Sequence, residues 1–384
     1  MNKKTILFFT GSRADYSLLK ILIKKFSNQK SFNTKVAAGG HHFSKLFGYT
    51  YKEIFKDKIR LNYRSKIKIK DTNVNELIKF LGNSLKNYSK LITKAKPDIV
   101  ILLGDRYETF CFCVASFFLN IPIVHIHGGE LTYGAFDDGL RHSITKLSNF
   151  HFVSHFSYAK RVIQLGENPK RIFNVGALGV ENIARTKLIN KKKLLQSYKV
   201  PNNKKLALVT FHPVTKNNEE YFNQINRFLY SISKVKSFFY IFTYNNPDPH
   251  GKYFLKKINK FIKKNKNSKL FKSMGSRVYL SFMKNVDLII GNSSSGIIEA
   301  PALKTQTLNI GNRQEGRVFS RSIICCKNQP KEIVKVLNKI LKKKTKTIYD
   351  NIYYKKNTST VICSKIKDIL RKKKFTKKFY DIRY

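Results

Sequence analysis

Residues 125–142 read HIHGGELTYGAFDDGLRH. Three histidines, one glutamate and two aspartates stand in eighteen positions, with Arg141 beside them. The chain has only 23 acidic residues against 75 basic ones, so a local gathering of carboxylates asks for a chemical reason. Carboxylates crowded into a low-dielectric site push some pKa values upward, and imidazole titrates near neutrality unaided. Glu130, Asp137, Asp138 and His127 are therefore candidates for moving protons at neutral pH. Asp105, in GDRYE (104–108), is a further carboxylate expected to face the same cleft. A metal cage of His125, His127, Glu130 and Asp137 is the rival reading. Its spacing matches no standard ligand motif such as H-E-x-x-H, so no metal is expected. Gly128, Gly129 and Gly134 would let the loop close over a substrate.

Two other loops suit an anion. In TGSRADY (10–16), Gly11 permits a tight turn, Ser12 can cap the following helix, and Arg13 adds a bidentate donor at the helix start. In GNSSSGIIEA (291–300), Ser293 and Ser294 stand between glycines with free backbone N–H groups to offer a diphosphate. Glu299 is placed to accept from ribose hydroxyls. The plainer reading of GNSSSG is an N-cap with Glu299 answering the helix dipole. For Asp105 the plainer reading is helix capping, with Arg106 as a surface partner. His212, in TFHP, ends a strand, and His41 and His42 are a weaker case of the same kind. Neither loop is G-x-x-x-x-G-K-[ST] or G-x-G-x-x-G, so no nicotinamide, flavin or other cofactor is signalled.

Such loops converge only if the elements between them deliver their ends to one edge. Short apolar runs, each followed by a helical stretch, read as buried parallel strands. They are TILFFT (5–10), TKVAAGG (34–40), DIVILLG (98–104), IPIVHIH (121–127) and FHFVS (150–154). After a Lys- and Asn-rich stretch near residue 185 the alternation resumes. Its strands are LALVTFHP (206–213), SFFYIFTYNN (237–246), NVDLIIGNSSSG (285–296) and TQTLNIG (305–311). This predicts two α/β domains with doubly wound sheets facing a central cleft, with the polar loops at the carboxyl ends of the strands. The expected divisions are 1–183, 184–357 and 358–384, the last a helix crossing back to the first domain. RKKKFTKKF (371–379) reads as a solvated helix end.

The formal net charge is +52 over 384 residues. The lysines are spread along the whole chain and interleave with no nucleic-acid motif, so compositional drift explains them better than nucleic-acid binding. A positive field still recruits anionic substrates. The five cysteines form no C-x-x-C pair, which fits reduced thiols in the cytoplasm. The apolar start is too short for a signal peptide. The uncharged run 110–129, split by Asn120 and Pro122, reads as a buried helix and strand, so no membrane partner is expected.

With these loops in place the sequence resembles the hydrolysing UDP-N-acetylglucosamine 2-epimerases of sialic and legionaminic acid biosynthesis. The matching stretches include TGSRADY, GDRYE, IPIVHIHGGE, GAFDDGLRHSITKLS, FNVGALGVEN, TFHPVT, GNSSSGIIEAPALK and NIGNRQEGR, in family order from residue 10 to about 317. The resemblance implies a glycosyltransferase-B-like fold of two Rossmann-like domains. It implies elimination of UDP to a 2-acetamidoglycal, then addition of water with inversion at C2. Asp105 and Asp137 match members of the acid/base set. The family glutamate 22 residues past the GD aspartate corresponds to His127, with Glu130 three residues on; either is implied for that role. Arg13, His212, Ser293, Ser294 and Glu299 match UDP contacts, with Arg313 and Arg317 as further candidates. A UDP-sugar is the implied partner, and a homodimer or homotetramer the implied assembly. Two alternatives remain: a sugar transferase of the same fold, and a basic nucleic-acid-binding protein.

Overall fold

The computed structural model describes residues 3–45, 48–67, 74–133, 135–214, 221–244, 251–342 and 347–382. Gly134 and most of the TYNNPD loop therefore lie outside the described residues. The chain divides into two compact units, Met1–Glu130 with Asp137–Asn182 and Tyr353–Tyr384, and Leu131–Phe136 with Ile183–Ile352.

The first unit carries β1 (Lys4–Thr10), α1 (Arg13–Ser27), β2 (Phe32–Ala38), α2 (Tyr51–Lys56), β3 (Tyr63–Arg64) and α3 (Val74–Ala95). It continues through β4 (Ile99–Leu103), α4 (Tyr107–Phe118), β5 (Ile123–Ile126), α5 (Phe136–Leu147), β6 (Phe150–Val153), α6 (Phe156–Gln164), β7 (Ile172–Asn174) and α7 (Leu178–Arg185). The strands form one parallel sheet in the order β3-β2-β1-β4-β5-β6-β7. β1 from Ile6 to Phe9 and all of β4 are apolar because helices cover both faces: Ile6, Phe8, Ile99 and Ile101 pack on one side, Leu7, Phe9, Val100 and Leu102 on the other. The strand order reverses between β1 and β4, and at such a switch point the loops after the two strands diverge and leave a crevice. Those loops are TGSR and GDR. The uncharged run 110–129 resolves as the end of α4, a turn with Asn120 at φ 54°, and β5. Among the described residues, no helix is long and apolar enough to cross a membrane.

The second unit repeats the plan with α8 (Lys191–Ser197), β8 (Lys205–Thr210), α9 (Tyr221–Ser233), β9 (Phe238–Thr243), α10 (Gly251–Lys264) and β10 (Ser268–Phe271). Then come α11 (Gly275–Asn285), β11 (Leu288–Gly291), α12 (Ser295–Ile298), β12 (Thr307–Ile310), β13 (Ile323–Cys326) and α13 (Pro330–Lys342). The order is β10-β9-β8-β11-β12-β13, again parallel, with the switch point between β8 and β11. The loops there are FHP and GNSSS.

The last helix, α14 (Thr358–Lys372), belongs to the first unit. Ile362, Ile366 and Leu370 join the core that holds Leu19 and Leu22 of α1. Its N-cap residue Asn357 makes no side-chain cap. Glu181 of α7 supplies the missing acceptor, taking Ser359 N–H at 2.6 Å and Ser359 Oγ at 2.8 Å. The tail is only in part the solvated helix end expected from its lysines: Arg371 to Lys374 are exposed, but Phe375 and Lys377 turn back onto the first unit. Phe375 packs on the core, its carbonyl accepts from Asn149 and Arg171, and Lys377 Nζ reaches the buried Glu167 at 2.8 Å. A lysine can cross apolar surface on its methylenes and place its charge on a buried acid, which composition alone does not reveal.

Candidate active site

In the first unit, Gly104 turns the chain out of β4 at φ 81°, and Asp105 follows. On the neighbouring β5, His125 is fully buried, with Nε2 at 2.8 Å from Gly104 O and Nδ1 at 3.0 Å from Thr145 Oγ1. Desolvation pushes its pKa down to about 3, so it is neutral. Both ring nitrogens are engaged within the fold, which takes His125 out of the metal cage considered above. Among the described residues, no group of three or more His, Cys, Asp or Glu is arranged to hold a metal ion.

His127, two residues on, is different. Its backbone is left-handed, φ 66°, and fixed at both ends: its N–H donates to Phe152 O at 2.9 Å and its carbonyl accepts from Arg141 Nη1 at 2.9 Å. Nδ1 lies 2.8 Å from Glu130 Oε1. That oxygen also accepts from Ser154 Oγ at 2.8 Å, and Glu130 Oε2 lies 3.7 Å from Arg141 Nη1. Arg141 Nη2 in turn pairs with the Asp105 carboxylate. His127, Glu130 and Arg141 are all buried, and Asp105 is 17% exposed. Gly129 makes this turn possible. Its φ is 76°, and a Cβ there would stand 2.4 Å from Tyr158 O on α6. Arg161, also on α6, donates to Gly129 O at 2.5 Å.

The structure thus brings Asp105, His127 and Glu130 together, with a guanidinium between the two carboxylates where the sequence suggested carboxylate facing carboxylate. Asp137 and Asp138 stand in the first turn of α5, one turn before Arg141 on the same helix, and both are partly buried. Asp138 lies 3.9 Å from His142 Nε2.

A second buried polar cluster surrounds the β1–β4 switch point, and the sequence reading passed over most of it. Arg106 is buried, which corrects its placement as a surface partner. It lies 3.5 Å from Glu108, which has no exposure and pairs with His41. Burial raises the Glu108 pKa, but His41 and Arg106 outweigh it and hold it below the usual carboxylate range. Asp15 forms a capping box with Ser12, accepting from Gly11 N–H and Ser12 N–H at 3.1 and 3.0 Å. Burial raises its pKa to about 6. His42 is wedged between Thr10 and Thr50, and burial drives its pKa to about 3. Arg13 opens α1, and its charge offsets part of the burial penalty on Glu53 of α2.

In the second unit, Asn292 ties the loops after β8 and β11 together. His212 N–H donates to Asn292 Oδ1 at 2.7 Å and Asn292 Nδ2 donates to His212 O at 2.8 Å. Arg313 Nη1 and Gln314 Nε2 both donate to Asn292 O, at 3.1 and 2.9 Å. Gly291 allows the strands to close here, since a Cβ would overlap Thr210 O at 1.9 Å. Ser293 Oγ lies 3.0 Å from Ser295 Oγ. Ser294 occupies the N-cap position without a side-chain cap bond, α12 has four residues, and Glu299 is its C-cap. The plainer reading of this loop therefore fails: a carboxylate at a helix C-terminus does not answer the dipole. Arg317 is buried, with Nε donating to Leu131 O at 2.9 Å and Nη2 3.4 Å from Thr132 Oγ1.

A family model described as UDP-N-acetylglucosamine 2-epimerase matches residues 24–367. A Campylobacter jejuni protein named GDP/UDP-N,N'-diacetylbacillosamine 2-epimerase (hydrolyzing) is 39% identical over 325 residues, 84% of each chain. The Escherichia coli polysialic acid biosynthesis protein P7 is 36% identical over 389 residues, 99% of this chain and 98% of that one. Among solved structures, the Methanocaldococcus jannaschii UDP-GlcNAc 2-epimerase in complex with UDP-GlcNAc and UDP superposes with a TM-score of 0.81 at 18% identity, covering 95% of this chain and 99% of that one. The Neisseria meningitidis enzyme bound to UDP-GlcNAc gives 0.79 at 18% identity, covering 95% and 100%. The folds agree on a glycosyltransferase-B-like pair of Rossmann-like units. With the family model and both relatives spanning most of its length, this chain belongs to the hydrolysing UDP-N-acetylglucosamine 2-epimerase family.

Proposed function

We propose that the protein is a hydrolysing 2-epimerase acting on a UDP-2-acetamido sugar, either UDP-N-acetylglucosamine or its 4-acetamido-6-deoxy relative. The products are UDP and the free sugar inverted at C2. The observation that carries this reading is the network joining Asp105, His127, Glu130 and Arg141 at the carboxyl ends of β4 and β5. The chemistry demands such a set. The C2–H bond is acidified by no neighbouring carbonyl, so its proton leaves only as the C1–O bond to UDP weakens. The C–H electron pair then becomes the C1=C2 bond and the C1–O pair departs with UDP. Water next adds its hydroxyl to C1, and a proton returns to C2 on the opposite face. At least two titrating groups are required, and we draw them from Asp105, His127, Glu130, Asp137 and Asp138.

In this reading residues 1–183 and 358–384 carry the acid/base loops and 184–357 bind UDP. Arg13, His212, Ser293, Ser294, Glu299, Arg313 and Arg317 are the UDP contacts, the arginines offsetting charge on the departing diphosphate. The product is one used in sialic or legionaminic acid biosynthesis, and the name of the Escherichia coli relative, a polysialic acid biosynthesis protein, supports the first of these. In this reading the enzyme is a cytoplasmic homo-oligomer, and its five free cysteines support the location. The word hydrolyzing in the name of the Campylobacter relative favours this activity over sugar transfer to an acceptor.

The test is NMR of the products from each UDP-sugar, incubated alone in D2O. Free sugar with inverted C2 carrying deuterium, together with UDP, is expected. Protium fully retained at C2 excludes elimination, and a need for an acceptor restores the transferase.

A further inference from the structure

The network above contains a buried atom without a partner. His127 Nε2 has no hydrogen-bond partner among the described residues, although the side chain is 94% buried and its other nitrogen is held at 2.8 Å by Glu130. Glu130, by contrast, is saturated. One oxygen takes His127 and Ser154, and the other faces Arg141, all in a site where the carboxylate is 2% exposed. A carboxylate oxygen that accepts from a serine hydroxyl and faces a guanidinium is an ionised acceptor. Its imidazole neighbour must then present Nδ1–H to it, so the tautomer this contact selects for the neutral ring carries its lone pair on Nε2. The ring has little freedom to turn away. Both backbone groups of His127 are hydrogen-bonded, and its left-handed φ of 66° is a conformation that persists only where the surroundings enforce it.

We propose that His127, through Nε2, is the base that takes the C2 proton, and that Glu130 is a positioning residue that sets its tautomer and stabilises the imidazolium. This assignment rests on the epimerase reading and divides roles that reading leaves shared. The C2–H pair becomes the C1=C2 bond, the C1–O pair leaves with UDP, and the proton stays on Nε2 until it passes to solvent before the next turnover. The charged groups around the ring are Glu130 from its own loop, Arg141 from α5 with Asp105 behind it, and Arg161 from α6 at Gly129 O; His125 beside them is neutral.

The experiment compares wild type with His127→Asn and Glu130→Gln, recording kcat against pH and UDP affinity by calorimetry. Asparagine tolerates a left-handed backbone, so the fold is kept. His127→Asn is expected to lose about 100- to 10,000-fold in kcat with UDP affinity unchanged. Glu130→Gln is expected to lower kcat, by less than His127→Asn does, and to displace the acidic limb of the kcat profile to lower pH, because imidazolium without its carboxylate gives up its proton more readily. Near-normal kcat in His127→Asn overturns the proposal, and so does an acidic limb that stays in place in Glu130→Gln. If His127→Asn no longer binds UDP, the Glu130→Gln profile decides alone. Failure of the wild type to release UDP from either sugar strikes the epimerase reading instead.

Discussion

Asp105 shows how one residue's role follows from its surroundings. It stands just past Gly104 at the end of a buried strand and shares Arg141 with Glu130. A neutral amide in its place keeps the shape and removes the charge. Asp105→Asn should therefore abolish turnover while leaving UDP affinity within several-fold, and Ser294→Ala should do the reverse. Ser294 makes no cap bond, so its loss carries no penalty in helix stability. If it hydrogen-bonds UDP, the variant should bind about 0.5–1.5 kcal/mol more weakly at undiminished kcat. Calorimetry with UDP and steady-state kinetics on both variants check the pair, and normal turnover in Asp105→Asn removes that residue from the acid/base set.

At the scale of elements, the C-terminal tail is held to the first unit by charge. Glu167 accepts from Lys146 at 2.9 Å, Lys377 at 2.8 Å and His151 at 3.1 Å. Tyr380 N–H donates to Gly166 O at 2.9 Å, and the Phe379 ring covers Gly166. Burial raises the Glu167 pKa, but His151, Lys377 and Lys146 overcome it and bring it to about 2. A folded pKa below the unfolded carboxylate value means stability that is present above the unfolded pKa and is lost as pH falls through the folded one. Glu167→Gln should thus be less stable than wild type at pH 6, and the gap should close between about pH 4.5 and pH 2. Urea midpoints measured across that range check it. A gap independent of pH would mean that Glu167 acts by shape alone.

For the whole molecule the dominant number is the net charge of +52. A UDP-sugar is an anion, and a positive field raises its rate of encounter without touching the bound chemistry. Raising ionic strength from about 0.05 to 0.5 M shortens the Debye length from more than 10 Å to less than 5 Å. kcat/KM should fall across that range while kcat holds. Parallel loss of both parameters would place the salt effect on the fold or the chemical step.

The central strands were legible in the sequence because the stretch of a parallel strand that is covered on both faces is a continuous apolar run. β1, β4, β8 and β11 therefore announce themselves, and the polar loops that follow them mark the switch points. β3, β10 and β13 were not legible. All three are sheet edges, paired on one side only, and their residues are largely half-buried or exposed, so no continuous apolar run betrays them. The same division holds at the site. The types and spacing in HIHGGE and GDR point to acid/base chemistry by themselves. Only the tertiary structure separates His125, locked between Gly104 and Thr145, from His127, which keeps one nitrogen without a partner among the described residues. Alternation along β5 gives both the same claim, and the difference arises from what α5, β6 and the end of β4 bring against each ring. Arg141 and Lys377 were likewise two of many cations in a lysine-rich chain. Their place beside Asp105 and Glu167 depends on contacts 36 and 210 residues away in sequence, which local pattern does not encode.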